Sequence, residues 1–454
     1  MVNPNTVLLI AVLASFSTPF MLSAINIALP AMAPELGLDA ITLGWVSLSF
    51  LLASAALLVP MGRAADLFGR KKIFTAGFVI FTAASLLCGL AASAPQLLAA
   101  RVLQGVGSSM IFGTSVAILT SVFPPEKRGK AIGWVSAAVY TGLSLGPPLG
   151  GLLVQHLSWR AIFLVNVPLG LLVLALVRKG MAGAEWRGAE GEEFDLPGAL
   201  LYASALGALM YGLSSITSAY GPAFAAVGAV LLALFLARET RVAHPVLNAR
   251  LFLENRVFAF SNLAAFLNYS ASFAAGFLLS LHLQYAEGMT PRQAGFVLVF
   301  QPLFMVAFSP WAGRLSDRRD PGVIASAGMA LTAAGILFFS APAAGLPLWR
   351  IITGLSVLGF GLALFAAPNT NAVMGSVDKR QYSVASAALA TMRVTGQMFS
   401  MAVVMLLFSV FIGRVKLGPE NLAGLERAFG AGVWIFSGLA ALGVLASLKR
   451  RRAA

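Results

Sequence analysis

The chain has 454 residues, of which 59% are hydrophobic and 11% charged, with a mean hydropathy of +0.86 and a formal net charge of +14. Soluble chains carry about a quarter charged residues, so a water-soluble globular protein is excluded and lipid must be the solvent for most of the surface. The single cysteine, Cys88 within an apolar run, rules out an internal disulfide and a cysteine metal cluster.

A helix crosses about 30 Å of hydrocarbon with roughly 20 apolar residues, and in lipid its backbone groups must pair internally. Fourteen spans are predicted on this basis, over 6–30, 41–61, 73–93, 97–121, 131–154, 161–177, 196–216, 221–237, 257–282, 294–312, 323–343, 348–374, 384–412 and 428–447. The first, "TVLLIAVLASFSTPFMLSAINIALP", follows no basic residue and is too long for a signal core, so it reads as a retained span.

Span 2 ends in a charged corner, "PMGRAADLFGRKK" (60–72), and span 10 ends in a similar one, "PWAGRLSDRRDPG" (310–322). "RVLQG" (101–105) opens span 4 and "RIITG" (350–354) opens span 12, while "TGLSLG" (141–146) in span 5 is echoed by "TGQMFS" (395–400) in span 13. These landmarks recur at nearly one offset. The chain therefore reads as an all-α membrane protein of 14 transmembrane helices, arranged as two pseudo-symmetric six-helix bundles plus an inserted helix pair. The predicted units are residues 1–178, a linker with spans 7 and 8 over 179–256, and 257–454. A parallel repeat of this kind implies two halves rocking about a site between them. The segment 178–195, Gly-rich with charges of both signs, reads as the linker out of the first half, and its acidic run as a solvated loop.

With fourteen spans and both termini on one side, Lys and Arg concentrate in that side's loops, at 63–72, 127–130, 178–187, 238–256, 314–319, 379–380 and 449–452. This positive-inside pattern predicts a multi-pass protein of the cell membrane with both termini cytoplasmic. The tail "KRRR" (449–452) is expected to anchor at anionic lipid rather than bind nucleic acid.

Each motif has a physical reading. Gly62 and Gly313 let a neighbouring helix approach closely. Asp66 can accept from Arg70 or from N–H groups at a helix start. A topogenic cluster would explain Arg63, Arg70 and their basic neighbours, but not Asp66 or its counterpart Asp317. An Arg near mid-bilayer costs about 2.5–3.5 kcal/mol on insertion scales, so Arg101, with Gln104 on the same face, and the deeper Arg393 are expected to face partners or a watery cavity. Arg350 sits at a helix mouth and carries no expectation. Gly142, Gly146, Pro147, Gly150 and Gly151 form a small-residue, kink-prone face in span 5.

"GRAADLFGRKK" resembles the loop signature of the major facilitator superfamily. "RVLQG" resembles its span-4 signature, "GLSLGPPLGG" (142–151) its antiporter signature, and "WRAIFLVNVP" (159–168) the segment that follows in drug exporters. "LQYAEGMTPRQAG" (283–295), "PNTNAVM" (368–374) and the Arg-x-x-x-Gly of "RVTGQ" (393–397) resemble the fourteen-span drug:proton antiporter branch. The resemblance covers nearly the whole chain. It implies that the corner latches the two halves in the outward-open state, that Arg101 takes part in proton coupling, that Arg393 is structural or coupling, and that the span-5 glycines lie between the halves. It also draws the substrate site from spans 1, 4, 9 and 12. Candidate polar groups there are Asn26, Gln104, Asn268, Tyr269, Asn369 and Asn371, with Phe20, Met21, Met110, Phe266 and Phe365 as an apolar wall.

The sequence departs from the family in span 1, where Met21 occupies the acidic position ahead of "INIALP", and none of the seventeen Asp and Glu residues falls in the middle of a predicted span. Asp66, His282 or Glu287 are then the candidate proton carriers, and the cavity is expected to be neutral or slightly positive. The expected function is proton-coupled export of small amphipathic compounds by a monomer, with protons, the substrate and membrane lipids as its partners and no cofactor. The alternative is a facilitator or proton-linked transporter of an anionic metabolite or lipid-like molecule. Three scattered His and one buried Cys offer neither metal site nor enzyme machinery, and no loop is long enough for a soluble sensor domain.

Overall fold

A computed structural model of the protein describes residues 3–188, 194–242, 245, 249–340, 346–378 and 382–450. The described residues contain helices and no strands. In chain order the helices are α1 (Pro4–Leu36), α2 (Ala40–Phe68), α3 (Arg70–Gly89), α4 (Ala94–Val122), α5 (Pro125–His156), α6 (Ala161–Leu164), α7 (Asn166–Gly180), α8 (Leu196–Ser214) and α9 (Gly221–Glu239). They continue with α10 (Ala249–Glu254), α11 (Arg256–Leu281), α12 (Pro291–Leu298), α13 (Phe300–Ser316), α14 (Pro321–Leu337), α15 (Leu348–Gly375), α16 (Tyr382–Phe411) and α17 (Leu422–Lys449). A π-helical turn, His282–Ala286, extends α11.

Among the described residues thirteen helical stretches are long and apolar enough to cross a membrane, counting α6–α7 and α12–α13 as one stretch each, and the apolar α14 is shorter at 17 residues. The far end of predicted span 11, residues 341–343, lies outside the described residues. Several boundaries are set by side-chain caps in the sequence. Asp39 accepts the Thr42 N–H at 2.6 Å, Asn255 accepts that of Phe258 at 2.9 Å, and Thr290 with Gln293 forms a reciprocal capping box. Gly37 closes α1 in the left-handed region at φ +64°, where a side chain would be strained.

In the first half α1 packs on α5 and α7, α2 on α4, and α3 on α4 and α7. In the second half α11 packs on α16 and α17, α13 on α15, and α14 on α15 and α17. The α8–α9 hairpin leans on α2 and α16. Small residues bring the backbones together in both halves. A Cβ on Gly142 of α5 would lie 2.6 Å from the Phe16 carbonyl of α1, and one on Gly396 of α16 would lie 2.6 Å from the Phe266 carbonyl of α11. Gly107 stands in the same way against Gly77 (α4 on α3) and Gly361 against Gly328 (α15 on α14), each 2.7 Å from the facing carbonyl. Gly105 abuts the Phe50 carbonyl of α2, and Gly359 that of Gln301 in α13.

The bridges between the halves gather at the end remote from both termini. The Ala40 N–H donates to the Val415 carbonyl at 2.9 Å, and Ser280 Oγ donates to the Asn26 carbonyl at 2.7 Å. Gln284 Nε2 donates to the Ile27 carbonyl at 3.2 Å, and the Arg292 N–H to Gln155 Oε1 at 3.3 Å. Gly44 faces Met405, Gly151 faces the Pro291 carbonyl, and Gly295 faces that of Pro147.

Candidate functional site

At the end that carries the termini, each charged corner is tied within its own half. Gly62 of α2 approaches the Gly113 carbonyl of α4, and Gly313 of α13 approaches Ala367 of α15, at 3.9 Å from a built Cβ in both cases. Arg70 donates to Asp66 at 2.8 Å and reaches on to the Ala117 carbonyl at 3.2 Å and Ser121 Oγ at 2.7 Å, both on α4. In the second half Asn371 Nδ2 donates to Ser316 Oγ at 2.6 Å and to Asp317 at 3.4 Å. Asn371 therefore belongs to the corner and not to the group of substrate-facing amides in which the sequence reading placed it.

The linker is not wholly a solvated loop. Its described part, 181–188, straps down over the first corner. The Arg70 N–H donates to the Trp186 carbonyl at 2.9 Å, and the Gly188 N–H to the Asp66 carbonyl at 3.0 Å. Glu185 accepts the Lys71 N–H at 2.8 Å, so its carboxylate sits at the positive N-terminal end of α3, and Lys71 Nζ donates to the Met181 carbonyl at 2.5 Å.

Arg101 is fully buried inside the first half. Its Nε donates to the Val46 carbonyl of α2 at 2.9 Å and its guanidinium to Gln104 Oε1 at 2.5 Å, while Gln104 Nε2 donates to Ser85 Oγ of α3 at 2.8 Å. The cation lies 4.5 Å from the Phe50 ring centroid, the geometry of a cation–π contact. Carbonyl, amide and ring are thus the partners Arg101 faces, in place of a watery cavity, and Gln104 belongs to this network. The signature "WRAIFLVNVP" is likewise explained by packing. Trp159 Nε1 donates to Glu35 at 2.6 Å, Arg160 pairs with the same carboxylate, and Asn166 Nδ2 donates to the Ile162 carbonyl at 2.9 Å.

The span-5 glycines divide into two groups. Gly142, Gly146 and Gly150 seat α5 on α1 within the first half, against Phe16, Ser23 and Ala24, with Ser23 Oγ donating to the Leu143 carbonyl at 2.9 Å. Pro147 and Gly151, one turn on, face the second half at Gly295 and Pro291. The expected position between the halves thus applies to Pro147 and Gly151. At the other three, the missing side chains admit a helix of the same half.

Midway through the bundle, three polar side chains come together from both halves. Arg393 lies eleven residues beyond the start of α16, roughly 17 Å along it, and is partly exposed. Tyr269 of α11, whose Cβ lies against Gly396 one turn on from Arg393, stands within electrostatic range of it, and Tyr140 of α5 within range of both. The Phe365 ring meets Tyr269 edge-on at 6.2 Å, and Phe266 lies 5.6 Å from Phe399. Asn26 is partly exposed and its side chain lies near Gly276 of the facing helix. Met21 is fully buried, and Asn268 is fully buried with no hydrogen-bond partner for its amide among the described residues. Tyr140 was missed in the sequence because a lone tyrosine in a glycine-rich span carries no spacing signal.

Two further groups lie at opposite ends of the second half. His282 Nε2 is 3.4 Å from Glu287 across the π-helical turn, its ring stacks 4.9 Å from that of Phe429, and Glu426 stands nearby. Two of the three candidate proton carriers are therefore together, and Asp66 is at the far end. At the other end Arg450, read in sequence as part of a lipid anchor, turns inward. It donates to Asn369 Oδ1 at 2.9 Å, Ser261 Oγ at 3.1 Å and the Gly322 carbonyl at 3.0 Å, and also to Ser447. Burial brings its guanidinium down to about 10, opposed by the Asp320 carboxylate. Asn369 also donates to the Ser261 carbonyl at 3.2 Å, so it closes this cluster and is not available to a substrate. The rest of the basic tail, 451–452, lies outside the described residues.

Residues 11–238 and 261–454 match the family model for the Major Facilitator Superfamily. The chain is 30% identical to the riboflavin transporter RibZ of Clostridioides difficile, over 85% of this chain and 84% of that protein. It is 34% identical to the cephamycin export protein CmcT of Amycolatopsis lactamdurans, over 88% of this chain and 84% of that one. Among solved structures it is similar to a peptide transporter POT bound to alafosfalin, with a TM-score of 0.72 at 14% identity, covering 99% of this chain and 95% of that one.

Proposed function

Because the chain belongs to the major facilitator superfamily, and is a membrane transporter rather than an enzyme, we propose that it exports small amphipathic compounds by alternating access, exchanging them for protons. The observation that carries this reading is the uneven distribution of contacts between the halves. Bridges cluster at the end remote from the termini, while at the near end both corners bond within their own halves. A body joined at one face and separable at the other is what a rocking mechanism requires. The relatives' names, a cephamycin exporter among them, support export.

In this reading α14 is the eleventh of fourteen spans, and the protein is a monomer in the cell membrane with its basic loops and both termini in the cytoplasm, in contact with lipid. Residues 1–178 and 257–454 are pseudo-symmetric halves, with 179–256 inserted between them. The matched glycine seams, 142 with 396, 105 with 359 and 107 with 361, support the duplication. His282 and Glu287 carry the proton. A second reading, facilitated movement of an anionic metabolite, is favoured by Arg393 being the charged side chain at mid-depth between the halves. The test is transport in proteoliposomes under pH gradients of either sign, across cationic, neutral and anionic compounds. Flux that follows the gradient supports antiport, and flux indifferent to it removes proton coupling and leaves the facilitator.

A further inference from the structure

We propose that Arg393, Tyr269 and Tyr140 form the recognition site for an aromatic substrate bearing a single negative charge, with Arg393 as its counter-ion. This deepens the transport reading above and rests on it for the site's location between the halves.

Arg101 is fully buried inside the first half against Val46, Gln104 and Phe50, so its guanidinium is not presented to a ligand at the centre. Arg393 has no such closure. None of the ion pairs among the described residues includes it, and the titratable side chains beside it, Tyr269 and Tyr140, are neutral phenols. Its partial exposure leaves it open to a ligand. A guanidinium held among apolar helices without an acid interacts most favourably with a planar oxyanion, to which it donates two parallel N–H bonds.

The two phenols add donors from opposite sides. Tyr269 belongs to the same half as Arg393 and Tyr140 to the other, so an oxyanion between them would touch both halves at once. The surroundings select the rest of the molecule. Phe266 and Phe399, both partly exposed, lie 5.6 Å apart beside the polar trio, with the buried Phe365 ring backing Tyr269, which suits an aromatic body. With no carboxylate at mid-span to receive an ammonium group, a cation would meet Arg393 with like charge.

The experiment uses the purified full-length protein and three matched probes: 2-naphthoate, its neutral amide 2-naphthamide, and 2-naphthylmethylammonium. Equilibrium binding is measured in detergent and counterflow in proteoliposomes. Naphthoate is expected to bind at least tenfold more tightly than the amide, with the ammonium weakest. R393Q should reduce the naphthoate preference to within about twofold while amide binding persists, R393K should retain part of it, and Y140F and Y269F should each weaken naphthoate by threefold or more. Absence of a charge preference in the wild type, or a preference that survives R393Q, overturns the proposal. Equal loss of naphthoate and amide in a folded R393Q protein also overturns it, because it marks Arg393 as structural. If R393Q does not fold, R393K and the tyrosine variants decide by the same ranking. Binding preference without flux under any gradient would sink the transport reading and leave this site standing.

Discussion

Substituting Gly151 by alanine tests whether the seam remote from the termini is a joint that opens. A Cβ there would sit 2.5 Å from the Pro291 carbonyl oxygen, with the Pro291 carbonyl carbon and Arg292 Cα both at 3.1 Å. The obstructing atoms are backbone, so the halves must separate by several tenths of an ångström or the closed state must bear the strain. Overpacking of this kind costs about 1–3 kcal/mol, and because it acts on the closed state alone it shifts the balance towards an outer-open form by roughly 5- to 150-fold. The assay is labelling of N26C by a membrane-impermeant maleimide from outside, for which the native Cys88, fully buried, gives no background. Gly142 is the matched control, since its Cβ would meet the Phe16 carbonyl at 2.6 Å but within one half. G151A should raise the labelling rate at little cost in melting temperature, and G142A should lower the melting temperature without raising labelling. Equal opening by both variants, or none by G151A, would refute the assignment of Gly151 to a moving joint.

Two other outcomes follow from the clusters in the second half. His282→Gln removes the titrating partner of Glu287 and should abolish transport driven by a pH gradient while counterflow persists; equal loss of both would mean that the pair is structural. Arg450→Met leaves Asn369 Oδ1 and the Gly322 carbonyl without their donor, a loss of about 1–3 kcal/mol for each group left unsatisfied, so the melting temperature should fall by several degrees with the probe ranking unchanged, and an unaltered melting curve would contradict the inward-facing role of this side chain.

Much of this architecture was legible because lipid imposes simple rules. Runs of twenty apolar residues can only be helices, so even the marginal stretches at 161–177 and 221–237 form them. The two corners were readable because a Gly and an Asp recur four residues apart, Gly62 with Asp66 and Gly313 with Asp317, beside the same cluster of basic residues. The side-chain networks were not, because sequence spacing reports neighbours along a helix and not across helices. Arg101 announced itself as a charge in an apolar run, yet nothing local revealed that Val46, some fifty residues earlier, supplies its acceptor. Asn369 and Asn371 stand two apart in one motif, and a period of 3.6 residues sends them to different partners, Arg450 and the Ser316 corner. Glu185 looked solvated because charge in a Gly-rich segment usually is. Its main-chain neighbours, which have no side-chain signature, hold it down.

The strap over the first corner couples motions that a chain diagram would keep separate. Trp186 and Gly188 bond to the main chain of Arg70 and Asp66 through peptide groups alone, so the backbone of the corner cannot shift without the strap moving with it. At the start of α8, Asp195 is clasped by Arg238 of α9, and the turn between α8 and α9 touches α16 through Thr217 and Ser409. The α8–α9 hairpin therefore rests on α2 of the first half and on α16 of the second. A fluorophore on that hairpin would register each stroke of the cycle from outside the permeation route.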